Sequence, residues 1–163
     1  MKILGIDPGT TTTGFGLIEN KSNKIQILDC GIIETKPKIP LPEKLSEIYK
    51  DIKKIIRASK PDKIAVEQLF FFKNTKTAMA VGQARGIILL AAQDLKVPIY
   101  EYTPLQVKMS ICAHGRADKL QVQKMVKAIL KLDKIPKPDD AADALAIAIC
   151  CVNNIDNLLK GSC

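Results

Sequence analysis

Apolar residues along the chain first alternate with polar ones and later recur at helical spacing, and the order of these patterns predicts an α/β fold. Lys2 to Ile6 reads as a short buried strand ended by Asp7-Pro8-Gly9, and Gly14 to Glu19 and Lys24 to Glu34 alternate as the next two strands. Leu41 to Ser59 sets Leu45, Ile48, Tyr49, Ile52, Ile55 and Ile56 on one helical face and leaves Lys44, Lys50, Lys53 and Lys54 to face water. Lys63 to Glu67 predicts a strand, Asn74 to Leu95 a long helix and Val97 to Tyr102 a fifth strand. This alternation of strand and helix implies parallel pairing. From Thr103 the pattern is only helical, about Pro104 to Ile111, Asp118 to Leu132 and Asp140 to Asn154, with a Pro-containing link before the last. One domain over residues 1–154 is expected, followed by a frayed tail over 155–163.

Composition narrows the class. A chain of 163 residues with 47% hydrophobic and 26% charged positions can build one ordinary core, which excludes a disordered chain and a disulfide-stapled miniprotein. The longest apolar runs, such as Gly86 to Ala92, fall short of the roughly 20 residues of a membrane span, and Asp7 and Pro8 interrupt the start too early for a signal peptide. A soluble cytoplasmic protein with no membrane partner is expected. Five cysteines without Cys-x-x-Cys spacing and a single histidine, His114, argue against a zinc site or redox pair, and Cys150 and Cys151 read as small apolar helix residues. The formal charge of +8 favours a polyanionic partner. It is unevenly spread, since Thr103 to Lys137 holds eight basic residues against Asp118 and Asp133.

Four acids stand where charge is expensive. Asp7 ends the strand Ile3-Leu4-Gly5-Ile6, and Glu67 ends Ile64-Ala65-Val66, so both sit beside residues that demand burial. Asp7 before Pro8-Gly9 also suits a turn cap, a reading less available to Glu67. Asp140 and Asp143 lie three apart on one face at the start of the last helix, where a capping residue and an acid also commonly occur. Asp139 shares a face with Asp143 as well, and spacing alone leaves the choice between Asp139 and Asp140 open. Together the acids form an oxygen-only donor set of the kind Mg²⁺ prefers, and two such ions roughly 4 Å apart can hydrolyse a phosphodiester. An acidic site with a basic rim fits a nuclease.

Five blocks carry a resemblance. Gly5-Ile6-Asp7-Pro8-Gly9, Val66-Glu67-Gln68-Leu69-Phe70, Gly82-Gln83-Ala84-Arg85-Gly86, Gln106-Val107-Lys108 and Asp140-Ala141-Ala142-Asp143-Ala144-Leu145-Ala146 resemble the RuvC Holliday junction resolvases in order and separation. The resemblance covers almost the whole chain. It implies a ribonuclease H-like fold with a five-stranded mixed sheet flanked by helices, a homodimer, and symmetrical nicking of a four-way DNA junction in recombination and repair. It also implies two Mg²⁺ per subunit, or Mn²⁺ in their place, the branch-migration proteins RuvA and RuvB as partners, and a cytoplasmic location of bacterial type.

Matched residue by residue, the resemblance makes Asp7, Glu67, Asp140 and Asp143 the catalytic and metal-binding carboxylates, and it selects Asp140 over Asp139. In some relatives the position of Asp140 is a histidine, which leaves it as either ligand or general base. Lys108 and Lys119 fall on basic residues near the scissile phosphate, and Phe70 on an aromatic that stacks on bases near the crossover. The loop before Lys119 adds His114 and Arg116 as candidate DNA contacts; relatives usually carry glycine where Ala113 stands. Ala78, Gly82 and Gly86 recur on one face of the long helix, smooth enough for its own sheet or for a second copy. The rival readings are a related nuclease on RNA or other branched DNA, and an actin-like ATPase suggested by Gly5-Ile6-Asp7-Pro8-Gly9-Thr10-Thr11. The ATPase needs two such domains and this chain supplies one.

Overall fold

A computed structural model describes residues 1–22, 24–68 and 75–160, with side chains over 1–22, 24–68 and 78–155. Five strands form one sheet: β1 (Lys2–Asp7), β2 (Thr12–Lys21), β3 (Lys24–Glu34), β4 (Lys63–Glu67) and β5 (Ile99–Tyr102). Their order across the sheet is β3-β2-β1-β4-β5. Short connections make β1, β2 and β3 antiparallel neighbours, whereas β4 and β5, each reached through a helix, pair in parallel. The sheet is therefore mixed, as expected.

Two hydrophobic layers sandwich it. Helices α1 (Leu41–Ser59) and α2 (Thr75–Asp94) cover one face through Ile48, Ile52, Ile56, Ala84, Ile88 and Ala91, packed on Leu4, Ile6, Ile64 and Val66. Helices α3 (Pro104–Cys112), α4 (Lys119–Ile129) and α5 (Asp139–Lys160) cover the other, where Ile3, Ile18 and Ala65 meet Leu145, Ile149 and Val126. Successive strand residues point to opposite faces, so β1 sends Leu4 and Ile6 to the first layer, and Ile3, Gly5 and Asp7 to the second. The same alternation places Glu67 on the α5 side, two residues after Ala65.

Several boundaries differ from the sequence expectation. β5 starts at Ile99, because Pro98 has no N–H to give a ladder. α4 stops at Ile129, where Leu130 caps it and Lys131 turns to φ 53°. α5 runs past the expected end near Asn154 to Lys160. Lys53 does not simply face water: its side chain is 19% exposed and ties α1 to Asp94 of α2 at 3.0 Å. Cys150 and Cys151 are fully buried in α5 as small apolar residues. No described helix is long and apolar enough to cross a membrane.

Candidate active site

The site forms where the C-terminal ends of β1 and β4 meet the start of α5. Asp7 is the last residue of β1 and Glu67 the last of the parallel strand beside it. The Pro8–Thr11 turn after Asp7 is closed without that carboxylate: Thr13 Oγ1 donates to the Gly9 carbonyl at 2.7 Å, and Thr35 Oγ1 donates to the Thr10 carbonyl at 2.9 Å. Among the described residues no hydrogen bond gives Asp7 a turn-capping role. Its carboxylate points instead at α5, where carboxylate oxygens of Asp7, Asp140 and Asp143 lie within 4.8 Å of one another.

Glycines let α5 come this close. Gly5 pairs with Gly16 and Asp7 with Gly14 across β1 and β2, which leaves a strip of sheet without side chains under the helix. A Cβ on Gly14 would strike the Asp140 carbonyl oxygen, one on Gly5 the Ala144 carbonyl oxygen, and one on Gly16 would lie 2.8 Å from Leu145 N. These three residues seat the helix that carries two of the acids. The sequence reading passed over them, although glycine at alternate positions of a strand, as at Gly14 and Gly16, signals close backbone approach.

Glu67 stands beside the three-aspartate group rather than within it. It lines a cleft of about 200 Å³ with Lys108, Lys119, Asp143, Val107 and Val122. Two capping boxes fix the lysines there. Thr103 Oγ1 accepts from Gln106 N at 3.1 Å while Gln106 Oε1 accepts from Thr103 N at 2.8 Å, which sets the start of α3 and the rotation that sends Lys108 into the cleft. Asp118 and Gln121 do the same for α4, making Lys119 its first residue. Lys119 Nζ reaches Asp143 at 2.9 Å.

The electrostatics follow from crowding. Burial pushes the Asp7 carboxyl up to about 8, with Glu67, Asp143 and Asp140 adding repulsion that Lys119 only partly offsets. Burial and the nearby Asp143 raise Glu67 to about 7 against the opposing pull of Lys108 and Lys119. Asp143 is raised as well, first by burial and despite its contact with Lys119. Burial works against the Lys119 ammonium, yet its hydrogen bond to Asp143 and the charges of Asp143, Asp139 and Asp140 hold its pKa above the ordinary lysine value. Two lysines, Lys108 and Lys119, against four acids leave the group short of positive charge. Its donors are hard carboxylate oxygens from separate elements, the set that suits Mg²⁺ or Mn²⁺. Asp7, Asp140 and Asp143 can thus hold a divalent ion, and Glu67 lines the cleft beside Asp143.

The remaining candidates fall differently. His114 and Arg116 are exposed on the loop between α3 and α4 and do not line the cleft. Ala113 caps α3 at φ 60°, a left-handed position that favours glycine. Phe70, Phe71 and Phe72 lie outside the described residues. Glu101 accepts a 2.6 Å ion pair from Arg85, joining α2 to β5 beside Gln68, a link the sequence did not suggest.

Known proteins share this arrangement over nearly the whole chain. The family model described as crossover junction endodeoxyribonuclease RuvC matches residues 3–151. The crossover junction endodeoxyribonuclease RuvC of Desulfitobacterium hafniense is 54% identical over 160 residues, 98% of this chain and 96% of the relative. The solved structure of Thermus thermophilus RuvC superposes with a TM-score of 0.89 at 36% identity, covering 96% of both chains. That of T. thermophilus RuvC in complex with a Holliday junction substrate gives 0.87 at 34%, again over 96% of each. The ribonuclease H-like sheet, the acids at its strand ends and these matches lead to one conclusion: the chain belongs to the RuvC family.

Proposed function

We propose that this chain is a Holliday junction resolvase, a crossover junction endodeoxyribonuclease that hydrolyses one phosphodiester in each of two strands of a four-way DNA junction. The observation that carries the reading is the convergence of Asp7, Asp140 and Asp143 within 4.8 Å beside a cleft rimmed by Lys108 and Lys119. A single nuclease domain over residues 1–154 performs the reaction.

Asp7, Glu67, Asp140 and Asp143 are the catalytic carboxylates and would hold two Mg²⁺ ions, or Mn²⁺ in their place. When bound, such ions acidify water and neutralise charge on the departing oxygen. The protein's own groups do the positioning. Lys119 and Lys108 attract a DNA phosphate into the cleft and neutralise its charge, while Val107 and Val122 wall the cleft and limit access of bulk water. Arg116 and His114, exposed on the adjoining loop, meet the flanking backbone. Phe70 stacks on an unpaired base near the crossover.

A second copy completes the enzyme. The outer face of α2 exposes Met79 and Leu90, and a Cβ on Gly86 would meet no atom within 4 Å, so this face has room for a twofold partner. Two sites related by that axis suit two nicks related by the junction's symmetry. Family membership supports RuvA and RuvB as further partners and a cytoplasmic location in a bacterium.

The direct experiment compares labelled four-way junction, linear duplex and RNA–DNA hybrid, each with Mg²⁺ and with EDTA. Paired nicks in the junction alone, only with Mg²⁺, are expected. Equal cutting of the hybrid or duplex would move the assignment to another ribonuclease H-like nuclease.

A further inference from the structure

Helices α4 and α5 meet beside the acidic group with matching spacing. Lys119 and Gln123 stand one turn apart on α4, and Asp139 and Asp143 one turn apart on α5. Lys119 Nζ lies 2.9 Å from Asp143 and 3.8 Å from Oδ2 of Asp139, whose Oδ1 accepts Lys137 Nζ at 2.8 Å. Gln123, only 5% exposed, also faces Asp139, and its Nε2 has no hydrogen-bond partner among the described residues. Asp139 itself stands outside the three-carboxylate group. Three groups therefore converge on an acid that the ligand set leaves unused.

We propose that Asp139 is a positioning residue that holds Lys119 over the cleft when Asp143 is engaged elsewhere. The inference rests on the reading above, in which Asp143 serves a divalent ion and Lys119 a DNA phosphate. Asp143 cannot keep Lys119 as a 2.9 Å partner and give the same oxygen to an ion. Once released, the ammonium has Asp139 as the other carboxylate within 4.0 Å among the described residues. Lys137 holds the other oxygen of that carboxylate at 2.8 Å, which leaves Oδ2 on the Lys119 side, and the buried Gln123 amide stands beside it. Lys119 thus shifts from Asp143 to the neighbouring Asp139 and stays at the rim.

The test uses full-length wild type, Asp139→Asn, Asp139→Glu, Lys119→Ala and the double variant Asp139→Asn with Lys119→Ala. Junction nicking is read at saturating substrate with Mg²⁺, and junction binding is read against salt in EDTA. Asp139→Asn should lower kcat by about two- to fivefold, the rate equivalent of a partly exposed ion pair. Asp139→Glu should restore it, and Asp139→Asn should add nothing in the Lys119→Ala background. In EDTA, where Asp143 still holds Lys119, Asp139→Asn should leave the salt slope at the wild-type value while Lys119→Ala flattens it. Unchanged kcat with tighter binding, the behaviour of a mere acid near DNA, would overturn the proposal while leaving the nuclease assignment intact. Wild type that does not nick the junction would overturn both.

Discussion

Asp7 concentrates the physical tension of the molecule in one carboxyl group. Its pKa of about 8 in the folded, ion-free protein lies above the ordinary 3.8, so the native state binds this proton more tightly than the unfolded chain does. Stability is then full below the unfolded value and falls as pH rises from about 4 toward 8; Glu67, raised to about 7, works in the same direction. Thermal melts in EDTA should show Tm falling across that window. Asp7→Asn should flatten the fall, and Mg²⁺ at a hundredfold over its dissociation constant should add about 2.7 kcal/mol per bound ion at pH 8. A Tm in EDTA independent of pH would contradict the buried charge cluster. Lys119 belongs to the same balance from the cationic side: Lys119→Ala should weaken junction binding and reduce the salt slope by about one phosphate equivalent. A slope equal to wild type would remove Lys119 from the interface. At Ala113, held at φ 60°, replacement by glycine should stabilise the fold by about 1 kcal/mol, seen as a Tm gain of about 2–4 °C.

Elements bring these residues together, and here the glycine seat under α5 decides the geometry. Gly14→Ala would drive a methyl group into the Asp140 carbonyl, a rigid backbone atom, so α5 must lift from the sheet. Loss of about 1–3 kcal/mol of stability and at least a hundredfold loss of nicking are expected, with DNA binding retained; wild-type nicking by this variant would show that the close approach is dispensable. Much of this layer was legible in the sequence. Strand periodicity gave β1, β3 and β4 and the strand-end positions of Asp7 and Glu67, and helical spacing gave the Ile48, Ile52 and Ile56 face of α1. Periodicity could not set how closely α5 lies on β1 and β2, because that approach is allowed by Gly5, Gly14 and Gly16, which carry no hydrophobic signal. Nor could it separate Asp139 from Asp140, since both share helical faces with Asp143; their roles part only in the fold, where Asp140 joins Asp7 at the end of β1 and Asp139 meets Lys119 of α4. The Lys53–Asp94 tie escaped for a similar reason: a lysine on the polar side of a helix reads as solvated until the neighbouring helix supplies an acid.

For the whole molecule the distribution of charge and exposed surface sets what it meets. A net charge of +8 surrounds a site built of acids, so polyanionic substrate is drawn to the surface while the acids hold cations within. On the opposite layer, the α2 face around Gly86 is open, and Gly86→Arg can be accommodated by the single chain. That variant should sediment as a monomer with unchanged Tm and leave at most single nicks in the junction; a dimer of wild-type affinity would place the twofold contact elsewhere. The most direct measurement follows a four-way junction with wild type and Asp7→Asn in Mg²⁺, binding and nicking being read from the same samples. Equal binding with paired nicks from wild type and none from Asp7→Asn is the expected result, and paired nicks at the wild-type rate from Asp7→Asn would contradict the carboxylate site.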